Sequence, residues 1–319
     1  MIRLLELFGG IGAPRVALRN LGIETQSLGY VENDQRVVDS YNAIFEDVTS
    51  YKIQKIEDYS LRVDLLVHGS PCQDFSGIGK RMGADEGSNT RSSLMWETLR
   101  IIQEMGFLKP KAIVWENVPA VLSEKHKHNF DKYLAKMQGL GYKNSYKVLD
   151  ARNFGLPQRR KRVFVVSLLG DKAFEFEKLK VKEMARLEDY LLVDDQVEDR
   201  YKVAAQSIID GIGKKGLKRT VVLNDVDCAS TITTRQDRTP GQVVRFKDGY
   251  RYLTEDECFR LQGFTSEDCK KALKAQGGSR DKGNREVYKQ VGNTIAVPVL
   301  EAIFSELVPL LERSAIDRV

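Results

Sequence analysis

Cys72 stands in Pro71-Cys72-Gln73, just past an apolar run of strand length at 63–67. Most cysteines in such a chain are small buried fillers. Here a proline stiffens the approach, and the stretch that follows, 75–88, is too rich in glycine, serine and charge to be packed core. A thiol in that setting reads as a nucleophile, provided a nearby positive charge or proton acceptor gives it thiolate character. With Gly77, Gly79, Gly83 and Gly87 as hinges, the stretch is suited to closing over a substrate. Two other run ends offer partners. Residues 112–115 lead into Glu116-Asn117-Val118-Pro119, and a carboxylate ending an apolar strand is partly desolvated, which raises its pKa and suits it to act as an acid. Gln158-Arg159-Arg160-Lys161-Arg162 precedes the run 163–169. In an extended chain Gln158, Arg160 and Arg162 share one face, Arg159 and Lys161 the other. Such a run is ordinarily a solvated face or a phosphate contact, but one arm of this alternation can share the cleft of Cys72 and Glu116.

The elements that must hold these groups alternate. Apolar runs at 4–8, 27–31, 63–67, 112–115 and 163–169 are of strand length, and helical spacing follows at 92–105 and 130–140. The pattern predicts an α/β fold with a doubly wound, mostly parallel sheet that binds ligands at the carboxyl ends of its strands. The first run enters Gly9-Gly10-Ile11-Gly12, and Glu32 ends the second, where such folds place the acid that takes ribose hydroxyls. Arg15 occupies the third-glycine position of the dinucleotide fingerprint, which argues against a pyrophosphate and so against a nicotinamide or flavin dinucleotide. An adenosyl ligand without a diphosphate stays open, and S-adenosylmethionine is the commonest one.

Composition bounds the rest. With 42% hydrophobic and 30% charged residues the chain is globular rather than disordered. Cys72, Cys228, Cys258 and Cys269 include no Cys-x-x-Cys pair, so neither a disulfide framework nor a zinc site is expected. No uninterrupted apolar run approaches membrane-spanning length, and no leader is apparent; an intracellular, cytoplasmic protein without a membrane or metal partner is expected. The net charge of +5 conceals an acidic stretch at 183–199 and basic ones at 151–162, 210–251 and 270–289, and the basic ones are where nucleic acid is expected. Near the C-terminus, 294–311 reads as an amphipathic helix with Asn293 or Thr294 as its N-cap.

Taken in order, these motifs resemble the cytosine-C5 DNA methyltransferases nearly end to end. Phe8, Gly10 and Gly12 match the Phe-x-Gly-x-Gly turn, Glu32 the ribose acid, Asp47-Val48 the adenine-contacting pair and Pro71-Cys72-Gln73 the nucleophile motif. Glu116-Asn117-Val118 matches the acidic motif and Gln158, Arg160 and Arg162 match Gln-x-Arg-x-Arg. Arg260 to Phe264 and Gln290 to Thr294 match the closing motifs. The resemblance implies Cys72 as nucleophile at cytosine carbon 6, Glu116 as partner of ring N3, and Arg160 with Arg162 stabilising the activated base. It implies S-adenosylmethionine held by Phe8, Gly10, Ile11, Gly12, Glu32, Asn33, Asp47, Val48, Pro71 and Asn293. It also implies double-stranded DNA with the target cytosine flipped out of the stack. Gln73, Ser76, Lys80 and Arg81 would then lie against DNA.

Between Arg162 and Thr254 the family carries its target-recognition domain. The expected division is a catalytic unit at 1–170, recognition at 171–253 and a return to the catalytic unit at 254–319. Thr231, Thr233, Arg235, Gln236 and Arg238 have the side chains that contact phosphates and base edges, although a plain polar hairpin would also contain them. Arg159, Arg219 and the lysines of 214–218 read as phosphate contacts. A monomer suffices for asymmetric reading of a duplex. Three alternatives stay open at this level: a transfer-RNA cytosine methyltransferase of the same chemistry, a catalytically silent DNA-binding module, and a nicotinamide oxidoreductase.

Overall fold

The computed structural model describes residues 1–46, 51–52, 61–70, 94–214, 216, 219–238, 241–279 and 283–316. Ten elements come first: β1 (Ile2–Leu7), α1 (Ala13–Asn20), β2 (Thr25–Val31), α2 (Gln35–Phe45), β3 (Leu65–His68), α3 (Leu94–Glu104), β4 (Ala112–Asn117), α4 (Lys127–Gly139), β5 (Tyr142–Asp150) and β6 (Lys161–Leu169). The strands form one sheet in the order β2-β1-β3-β4-β6-β5. β1 pairs in parallel with β2 and β3, and β3 with β4, while β6 is antiparallel to both β4 and β5. Among the described strands of this sheet, then, β6 alone runs backward.

Side-chain alternation along the strands sorts the core into two layers. Leu4, Leu65, Val67 and Val114 pack with Val16 and Ala17 of α1. Leu5, Leu66, Ile113 and Trp115 face the other way, onto Leu99 and Ile102 of α3 and Phe130 and Tyr133 of α4. Each fully buried aliphatic side chain contributes about 2 kcal/mol of transfer free energy, so both faces of the sheet are held and only its ends remain for a ligand.

Beyond β6 the chain runs through short 3₁₀ turns to α5 (Gln206–Ile209) and a small sheet in the order β7-β8-β9, formed by β7 (Val221–Val222), β8 (Gln242–Phe246) and β9 (Gly249–Arg251). Val203, Ile208, Val222, Val243 and Tyr252 form a small core of their own. Leu223, Ala229, Ile232 and Val244 instead join the larger core beneath α1. A fully buried ion pair, Arg251 Nη2 to Glu257 Oε1 at 2.7 Å, leads into α6 (Glu255–Leu261). The Thr254 side chain caps α6 by accepting from Glu257 N, while the Glu257 carboxylate accepts from Thr254 N.

α7 (Ser266–Ala275), α8 (Arg285–Asn293) and α9 (Val297–Ile316) complete the chain. α9 lies against α1, with Leu300, Ile303, Phe304 and Leu307 buried. The stretch Arg285–Glu312 is long and apolar enough by mean hydropathy to cross a membrane, but these core contacts account for its apolar face.

Two details differ from the sequence reading. β5 is an additional strand. Its sequence, YKNSYKVLD, is largely polar because it is the outer strand of the sheet and several of its side chains face solvent. The expected helix 294–311 begins at Val297, and Thr294 closes α8 rather than opening α9. Pro298 sits in the first turn of α9, where a missing N–H costs nothing.

Candidate active site

β1 delivers Phe8 (φ 56°), Gly10 (φ 55°) and Gly12 (φ 79°) into a turn of left-handed conformations that opens α1. A side chain at Gly12 would also come within 2.4 Å of the Phe45 ring, so this position needs glycine for both reasons. Glu32 leaves the end of β2 and folds back over the turn. Its carboxylate accepts from Asn33 N at 2.8 Å, Asp34 N at 3.3 Å and Gly10 N at 3.4 Å. Burial nonetheless pushes its carboxyl pKa up, against these backbone N–H groups. Arg15, at the third-glycine position, places its guanidinium 4.4 Å from the centre of the Phe45 ring. A cleft lined by Phe8, Gly10, Gly69, Glu116 and Asn293 runs from the glycine turn to the end of β4.

Glu116 lies at that far end. Because β6 runs backward, its first residues reach the carboxyl edge of the parallel strands, and Glu116 pairs in register with Phe164. Arg162 Nε is 3.0 Å from Glu116 Oε1. Burial raises the pKa of Glu116, and the guanidiniums of Arg162 and Arg160 only partly offset this. A carboxyl so placed is suited to holding a proton and donating it.

Arg160 and Arg162 share one face, as the alternation predicts, but their guanidiniums do different things. Arg160 is 3% exposed and donates to the carbonyls of Ile232, Gly292 and Thr294. Nη1 and Nη2 of Arg160 are thus engaged by backbone oxygens, while its charge still acts on Glu116. Gln158, also buried, donates to Leu261 O at 2.7 Å and accepts from Ile232 N at 2.9 Å. These two side chains join the basic run, the 231–234 loop and the closing segments. The same loop presses on α8, where a side chain at Gly292 would lie 2.5 Å from the backbone of Thr233 and Thr234.

Other expected residues divide by burial. The Ile11 side chain is core, so only its backbone borders the turn. Gln236 is fully buried and, among the described residues, its amide has no hydrogen-bond partner; it does not present the exposed edge that base reading needs. Arg235 and Arg219 are exposed, Arg238 pairs with Asp237 at 2.7 Å, and Thr233 and Thr231 are partly exposed. Thr231 Oγ1 donates to Arg159 O at 2.5 Å. Arg159 lines an open depression with Arg152, Lys161, Arg162 and Thr231. The sequence reading missed Arg152, whose signal was its place inside the basic stretch 151–162. Asn33 is exposed beside Glu32. Asp47 and Val48, and Pro71, Cys72, Gln73, Ser76, Lys80 and Arg81 after Ser70 on the exit of β3, lie outside the described residues.

Residues 2–309 match the C-5 cytosine-specific DNA methylase family. The chain belongs to that family. Among its relatives, Type II methyltransferase M2.ScrFI of Lactococcus lactis subsp. cremoris is 31% identical over 86% of this chain and 73% of its own length. Orphan methyltransferase M.SssI of Spiroplasma monobiae is 31% identical over 84% and 72%. The crystal structure of S. pombe Dnmt2 methyltransferase shares the fold, with a TM-score of 0.74 and 21% identity over 97% of this chain and 99% of that one. This cytosine methylase transfers the methyl group of S-adenosylmethionine to carbon 5 of cytosine in DNA. The cleft fits that cofactor: the Glu32 carboxylate stands at the glycine turn, where it would accept from ribose hydroxyls, and the Arg15 guanidinium lies over an aromatic ring.

Proposed function

We propose that Cys72 is the nucleophile of this DNA cytosine methylase and Glu116 its acid. Carbon 5 of cytosine is too weak a nucleophile to take a methyl group unaided. A thiolate adding to carbon 6 makes the ring an enamine that can attack, and splits one difficult step into two. Glu116, its proton retained by burial, would donate to ring N3 as the Cys72 sulfur–carbon bond forms, so that negative charge does not build up on the base. Arg162 would hold that carboxyl in place, and after methyl transfer the carbon 5 proton and then Cys72 would leave. Phe8, Gly10, Gly12, Glu32, Asn33 and Asn293 would hold the cofactor, which supplies an electrophilic methyl group, together with Asp47, Val48 and Pro71.

The observation that carries this reading is the Glu116–Arg162 pair at one end of the cleft whose other end is the glycine turn. Supporting it, Ser70 leads from β3 directly toward Cys72 in the chain, beside the strand that carries Glu116. Residues 171–253 would read the target sequence, with Thr231, Thr233, Arg235 and Arg238 toward base edges and Arg159, Arg219 and Arg152 on phosphates. A monomer acting in the cytoplasm of a bacterium or on phage DNA accords with the bacterial and phage relatives, several of them named Type II methyltransferases. Duplex DNA containing 5-fluorocytosine tests the chemistry, because fluorine at carbon 5 leaves no proton to remove and traps the enzyme. A covalent adduct that requires S-adenosylmethionine and disappears in Cys72→Ala is expected. Methyl transfer to transfer RNA but not to DNA would overturn the DNA reading.

A further inference from the structure

Trp115 and Glu116 are neighbours on β4, and alternation sends their side chains to opposite faces of the sheet. Glu116 enters the cleft, whereas the Trp115 indole is 1% exposed in the layer beneath α3 and α4. Its Nε1 donates to Ser70 Oγ at 3.1 Å. Next along, Asn117 Nδ2 donates to Ser70 O at 3.3 Å, and Asn117 Oδ1 accepts from Val118 N at 2.8 Å. The exit of β3 is therefore tied to the end of β4 twice at one residue, two positions before Cys72.

The indole itself has little freedom. It lies parallel to the His68 ring at an interplanar angle of 3° and a centroid distance of 5.8 Å, and it contacts Tyr133 at 4.4 Å and Phe130 at 5.8 Å. His68 Nε2 meets the Tyr133 hydroxyl at 3.1 Å, and burial lowers the His68 pKa to about 3, so this packing stays uncharged across the working pH range. An indole N–H donates only, so once buried it needs an acceptor. Packing alone would accept any acceptor; here the acceptor is the residue that precedes Pro71.

We propose that Trp115 is a positioning residue for methyl transfer, which acts through Ser70 to fix the exit of β3 relative to Glu116. This rests on the reading of Cys72 as nucleophile. The end of β4 then carries Glu116 directly and ties down the exit of β3 through its neighbour's indole.

Four variants test it: Trp115→Phe, which keeps a ring and removes the donor; Ser70→Ala; the two combined; and Ser70→Thr, which keeps the hydroxyl. Melting temperature, S-adenosylhomocysteine affinity, KM for DNA and the single-turnover rate of adduct formation on 5-fluorocytosine DNA are measured for each. Trp115→Phe and Ser70→Ala are expected to form the adduct about tenfold more slowly, as small misplacements of a reacting group do. KM and S-adenosylhomocysteine affinity should stay within about twofold of the unaltered enzyme, Ser70→Thr should restore the rate, and the double variant should be no slower than the slower single one. Unaltered rates, strictly additive losses, or a loss that only tracks melting temperature and S-adenosylhomocysteine affinity would overturn the proposal. An adduct persisting in Cys72→Ala would instead overturn the nucleophile reading, so the two failures are told apart.

Discussion

Arg162 Nε stands 3.0 Å from Glu116 Oε1, and the two side chains come from neighbouring strands that run in opposite directions. The reversal brings them together. A parallel β6 would end, not begin, at the carboxyl edge of the sheet, and its leading arginines would lie at the far end of the molecule. Burial raises the pKa of the carboxyl so placed, and the guanidinium is near enough to keep its orientation.

Glu116 should therefore impose an alkaline limb on catalysis. Its donor form is the protonated one; with the pKa raised by burial, that form persists above the usual carboxylate range and is lost as pH rises through the raised pKa. Single-turnover methylation should fall across that interval. Glu116→Gln should lower the rate by about 10²-fold and abolish the limb. A pH–rate profile for the variant that keeps the limb would assign the titration to another group.

The two arginines should separate by assay. Arg160→Lys cannot reproduce three carbonyl contacts, and since hydrogen bonds from a charged group contribute about 1.5–3 kcal/mol each, urea denaturation should show a loss of about 3 kcal/mol. Arg162→Lys should leave stability within about 0.5 kcal/mol, as an edge-of-cleft substitution does, and slow methyl transfer. Equal stability losses in the two variants would remove the distinction.

Gly292→Ala should act on DNA rather than on the cofactor. The added methyl group would sit 2.5 Å from Thr233 and Thr234 backbone atoms, so the loop must move and drag Arg235 with it. DNA affinity measured by fluorescence anisotropy should fall about tenfold, corresponding to about 1.4 kcal/mol, with a smaller change in S-adenosylhomocysteine affinity.

The surface arginines should differ from one another and from Gln236. Arg159→Ala should weaken binding to all sequences alike and reduce the slope of log affinity against log salt by about one, as loss of a phosphate contact does. Arg235→Ala should relax selectivity by about 1–3 kcal/mol at one base pair. Gln236→Ala, made inside the fold, should change melting temperature and leave selectivity intact; sequencing of sites methylated in a random library separates these cases.

Much of the site was legible because strand ends are local events. An apolar run followed by Glu32 or Glu116 carries its own signal, since alternation and the turn after it depend on a few adjacent residues. β5 escaped notice because an outer strand exposes one edge and much of one face, and its polar sequence carries no burial signal. The start of α9 was misplaced because the interruption between α8 and α9 at 294–296 is held by Arg160, which donates to the carbonyls of Gly292 and Thr294 from more than 130 positions away.

From the sequence alone came the alternation of strands and helices, the glycine turn with its acid, the pairing of Glu116 with a downstream basic run, and the family those motifs resemble. Only the tertiary structure decided which arginine serves the acid and which holds the fold, that Gln236 is inside, and that Trp115 reaches Ser70. Alternation fixes the face a side chain leaves from, but the atom it meets belongs to another strand or loop, and that neighbour is set by how the sheet orders its strands.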